Sequence, residues 1–64
     1  MADMSADAQA VTYLRSIGQE VLGPLPEEPR YRVLLWSDYL GDYIFAPMST
    51  ETIIQRARIF RTIN

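Results

Sequence analysis

The sequence predicts a small α+β single domain: an N-terminal helix, a proline-rich connector, a two-stranded antiparallel β-hairpin and a C-terminal helix. Three observations predict it. Apolar residues recur at helical spacing over about 6–22 and again over about 50–61. Two runs rich in β-branched and aromatic residues flank a turn-forming segment within about 31–46. Between the first helix and this hairpin stand Pro24, Pro26 and Pro29, three prolines in six residues.

The first helix has Ser5 as its N-cap, and Asp7 suits the positive end of the helix dipole. Val11, Leu14, Ile17, Val21 and Leu22 share one face, opposite Gln9, Thr12, Arg15, Ser16, Gln19 and Glu20. Gly18 lies inside this run and costs roughly 1 kcal/mol relative to alanine. Gly23 is placed to end the helix as its C′ residue, and Pro24 blocks continuation.

Residues 23–30 cannot form a helix or an inner strand, so they read as a stiff, extended connector. Pro26-Glu27-Glu28-Pro29 matches a docking-peptide spacing by letter, but two acids fill its gap and favour a plain spacer.

In the hairpin, Tyr31-Arg32-Val33-Leu34-Leu35-Trp36-Ser37 pairs with Tyr43-Ile44-Phe45-Ala46, and Pro47 ends the second strand. Asp38-Tyr39-Leu40-Gly41-Asp42 forms a five-residue loop, with Gly41 suited to a bulge. One face presents Tyr31, Val33 and Leu35 and the other Arg32, Leu34 and Trp36. Two strands alone are marginal, so helices must cover at least one face; the pattern leaves open which.

Ser49 or Thr50 caps the last helix, with Glu51 in its first turn. Ile53, Ile54, Ala57 and Phe60 share a face, and Ile59 and Ile63 widen it, so burial over more than half the circumference is expected. Arg58 to Ile63 also alternates like a third strand. The helix is favoured because Thr52 to Phe60 keeps its spacing without a breaker.

Composition narrows the function. The 64 residues allow one domain, with no histidine, cysteine or lysine. Those absences remove the usual general base, the thiolate nucleophile, the Schiff-base amine and the softer metal ligands. The serines have no histidine to activate them. Asp38 and Asp42 are too few for a hard cation and suit turn capping. The chain is therefore expected to be no enzyme and to carry no cofactor and no metal. No stretch approaches the ~18 apolar residues of a membrane span. The acidic start shows no secretory signal, so a cytoplasmic location and no membrane partner are expected.

Burial of apolar area contributes roughly 98 kcal/mol against about 96 kcal/mol of lost chain entropy. A chain so finely balanced gains from a companion. Five of the seven aromatics fall between Tyr31 and Phe45, and Tyr, Trp and Arg are the types enriched in binding hot spots. The expected function is a protein-binding module (a small adaptor, inhibitor or homodimeric regulator) that contacts another protein, or itself, through Trp36, Tyr39, Leu40, Tyr43 and Arg32. The hairpin edge also offers strand addition. The alternative is a nucleic-acid-associated regulator holding phosphates with Arg30, Arg32, Arg56, Arg58 and Arg61. Charge gives it some support: residues 1–28 carry five carboxylates against Arg15, whereas residues 29–64 carry five arginines against three carboxylates. The acidic pI near 4.8 weighs against it.

Overall fold

The computed structural model describes residues 4–63. The order of elements is α1 (Ala6–Ser16), β1 (Val21–Leu22), β2 (Tyr31–Ser37), β3 (Asp42–Met48) and α2 (Thr50–Ile63). The domain is α+β, but its sheet has three antiparallel strands in the order β1-β2-β3, not the two of a lone hairpin.

The extra strand exists because the first helix stops early, at Ser16 and not near residue 22. Gly18 takes φ +92°, a conformation that side-chain-bearing residues avoid. Its N–H donates to the Arg15 carbonyl (3.1 Å), and the Gln19 N–H reaches back to the Leu14 carbonyl (2.9 Å). This pair of bonds is a Schellman cap, so Gly18 and not Gly23 closes the helix. The chain then reverses, and Val21 and Leu22 pair with Val33 and Arg32 of β2. Arg15 fixes the reversal by donating Nη2–H to the Val21 carbonyl at 2.7 Å. At Gly23 the constraint is space: its φ is +124°, and a Cβ there would strike the Arg30 carbonyl oxygen and lie 2.8 Å from Tyr31 Cδ1.

The connector folds back on itself where the prolines predict an extended spacer. The Leu25 N–H donates to the Arg30 carbonyl (2.7 Å) and Arg30 Nε–H to the Leu25 carbonyl (3.1 Å). Glu28 ties it to the start of α2 by accepting the Thr50 N–H at 3.2 Å.

The register of β2 and β3 runs unbroken from Tyr31↔Met48 to Ser37↔Asp42, so the loop has four residues and no bulge. Nor does Pro47 end the strand; it pairs with Arg32. The Leu34 N–H bonds the Glu20 carbonyl (3.0 Å), so Arg32, Leu34 and Trp36 turn their backbone polar groups toward β1. Arg32 and Pro47 are thus a non-hydrogen-bonded pair, and the N–H that proline lacks would have faced the free edge.

Residues 58–63 are helical. Ser49 caps α2: its hydroxyl accepts the Thr52 N–H at 3.2 Å. Both helices lie on one face of the sheet. The core joins Ala10, Val11 and Leu14 of α1, Ile53 and Ala57 of α2, and Val21, Tyr31 and Val33 of the sheet. Ile59 and Ile63 are exposed, so α2 is buried over a narrower arc than its apolar pattern predicts.

Candidate functional site: the open face of the sheet

Because side chains alternate along a strand, the burial of Val21, Tyr31 and Val33 under the helices sends their neighbours to the other side. Leu22 of β1, Arg32, Leu34 and Trp36 of β2, and Tyr43, Phe45 and Pro47 of β3 therefore form one face with no layer over it among the described residues. Ile44, opposite Leu35, belongs to the helix side. Trp36 is 55% exposed and Tyr43 61%. Their rings meet edge to face, centroids 5.2 Å apart at 77°, the arrangement aromatic quadrupoles prefer.

The tip beside this pair is stiffened by its own polar groups. Trp36 Nε1–H donates to Asp38 Oδ1 at 2.9 Å, which fixes the indole. Ser37 accepts the Leu40 N–H on its hydroxyl (3.2 Å) and the Gly41 N–H on its carbonyl (2.8 Å). The loop holds Tyr39 and Leu40 outward, 96% and 60% exposed. Of the two aspartates expected to cap the turn, Asp38 accepts the Trp36 indole, whereas Asp42 accepts a local backbone N–H, that of Tyr43, on Oδ1 at 2.7 Å. That bond also occupies an edge donor of β3, and Pro47 removes another. The edge is poorly equipped for strand addition, against the sequence expectation.

Of the predicted contact residues, Trp36, Tyr43 and Arg32 share the open face, while Tyr39 and Leu40 project from its distal end. Leu22, Leu34, Phe45 and Pro47 complete the face and were not singled out from sequence. Strand alternation from Trp36 and Tyr43 signals Leu34, Phe45 and Pro47; Leu22 is visible only once β1 is known.

The arginines are dispersed. Arg30 is engaged by the Leu25 carbonyl, and Arg32 lies on the open sheet face. Arg56 donates Nε–H to Gln19 Oε1 (2.9 Å) and sits 5.0 Å from the Phe60 ring centroid, and its burial lowers its pKa. Arg61 lies 4.6 Å from the Tyr13 ring centroid and lines, with Arg58, a groove of about 370 Å³ between the helices. The carboxylates with shifted pKa values are structural. Asp7 is lowered by the Ser5 hydroxyl and then by the Tyr31 phenol, which donates to it at 2.6 Å. Glu28 is lowered by the Thr50 hydroxyl. Among the described residues, no group of three or more His, Cys, Asp or Glu side chains is placed to hold a metal, and no helix is long and apolar enough to cross a membrane.

Compared with protein-family models, with curated proteins and with solved structures, the chain matches none.

Proposed function

We propose that this protein acts by binding another protein, as a small adaptor, inhibitor or homodimeric regulator, and does no catalysis. The docking surface is the open sheet face with the hairpin tip: Arg32, Leu34, Trp36, Tyr43 and Phe45, extended by Tyr39 and Leu40. The observation that carries this reading is the edge-to-face, half-exposed Trp36–Tyr43 pair on a face that no element among the described residues covers. Large rings held on paired strands, with Trp36 also tied to Asp38 of the loop, lose little entropy on binding, which is what hot-spot residues require.

Phosphate binding by Arg30, Arg32, Arg56, Arg58 and Arg61 needs those side chains on one surface, and their dispersal counts against it. The test is affinity capture with the intact chain at roughly 50 and 200 mM salt, beside gel-shift with single- and double-stranded DNA. Retention at both salts, lost in Trp36→Ala and Tyr43→Ala and kept in Arg58→Ala and Arg61→Ala, is the expected result. Capture that ignores the aromatic variants but vanishes with the arginine variants overturns the reading.

A further inference from the structure

We infer that the open sheet face is covered by a second copy of this chain, packed face to face with its strands reversed, so that Arg32 of each copy meets Asp38 of the other. The inference rests on the reading of that face as a protein-docking surface and names its occupant. Two properties of the face point to a copy of itself.

The first is charge. Arg32 stands at the connector end of the exposed row of β2, while Asp38, in the loop just beyond the other end, is held to the same side by its bond from the Trp36 indole. Leu34 and Trp36 lie between them, and the exposed Glu20, whose carbonyl accepts the Leu34 N–H and which lines a groove with Leu34 and Tyr43, stands at the β1 flank. A two-fold axis across the strands, midway between Arg32 and Asp38, superposes each end on its opposite and makes both ion pairs at once. An isologous, antiparallel pairing of the face with itself does this. A two-fold axis along the strands would set like charges together.

The second is area. Leu22, Trp36, Tyr43 and Phe45 are 45%, 55%, 61% and 39% exposed. At about 150–250 Å² for a large side chain, and with Arg32, Leu34 and Pro47 added, the face offers roughly 600 Å² per copy. Two copies would bury about 1,200 Å², the lower end of specific interfaces. The reversed packing also brings Tyr39 and Leu40 of one copy to the proline connector of the other, which raises the total. The two sheets would form the aligned sandwich that open antiparallel faces adopt, with the helices outside.

The experiment is sedimentation velocity on the full chain from roughly 1 μM to 1 mM. The wild type is expected to form a reversible dimer. Arg32→Glu and Asp38→Arg each place like charges together twice, so each alone should weaken the dimer about tenfold or more. An equimolar mixture of the two variants puts opposite charges back at both contacts, and dimer should return at wild-type concentrations; its recovery also shows that both variants are folded. A wild type that stays monomeric throughout, or charge variants that dimerise as well as it does, overturns the inference. If the wild type is monomeric while Trp36→Ala still abolishes capture of another protein, the second copy fails and the docking face stands. A dimer indifferent to Trp36→Ala and Tyr43→Ala lies on another surface and overturns the inference, while the docking face is decided by capture with the same variants.

Discussion

Tyr31 shows how one side chain organises a chain this small. It is 1% exposed, it completes the core between α1 and the sheet, and its hydroxyl ends on Asp7 in the first turn of α1. The phenol's pKa is raised, first by burial and then by the Asp7 bond, while those of Asp7 and Glu28 are lowered. The signs give the pH profile. The two carboxylates contribute stability that is present above about pH 4 and is lost as pH falls through their lowered values. Tyr31 contributes stability that is present below about pH 10 and is lost as pH rises through its raised value. Thermal melts across pH should show a plateau with two falling limbs, and Tyr31→Phe should flatten the alkaline one. Deeper in the core, Leu14→Ala or Ile53→Ala should cost about 2–5 kcal/mol in urea unfolding, since both side chains are wholly buried. Gly23→Ala combines a left-handed φ with a clash against backbone, and a loss of about 2–4 kcal/mol is expected from the same titration.

At the scale of elements, punctuation decides the fold, and here the sequence is only partly legible. Both helices, the hairpin and their order are readable from apolar spacing and from the aromatic runs. β1 is hidden because Val21 and Leu22 fall in helical phase with Leu14 and Ile17, and a two-residue strand carries no period of its own. Gly18 is the contrary signal, but only the hydrogen bonds of Gly18 and Gln19 show it to be a cap and not a weak point. The same limit applies to Pro47, which reads as a strand end yet sits in β3 because its missing donor faces outward. Which face of the hairpin is open depends on where the helices pack, a long-range fact that strand alternation does not contain.

Two element-scale outcomes follow from these placements. Ser49→Ala should destabilise by about 1 kcal/mol by removing the cap of α2, read as a shift in urea midpoint. Joint replacement Asp42→Ala and Pro47→Val should unblock the free edge of β3, and light scattering should then report growing aggregates where the parent chain gives none.

As a whole molecule, the chain is looser than its length requires. Its radius of gyration is 12.2 Å, against about 10.7 Å for a typical compact domain of this size. Its accessible surface is 4751 Å², against roughly 4,200 Å² from the mass scaling. The excess fits a two-layer arrangement in which the described residues place one layer of helices on the sheet and leave its second face bare. The proposed docking function is the consequence: the aromatics that the sequence concentrates in the hairpin are too many for its small core, and the surplus is gathered on one surface. Trp36 is the single tryptophan, so its emission reports on that surface alone. Acrylamide quenching of Trp36, followed as the chain is concentrated from roughly 1 μM to 1 mM, tests the account most directly. Quenching should fall and emission shift to the blue as dimer forms, and Arg32→Glu should stay fully quenched at concentrations where the wild type is protected. Quenching that does not change while sedimentation shows the chain associating would place the contact elsewhere and contradict the account.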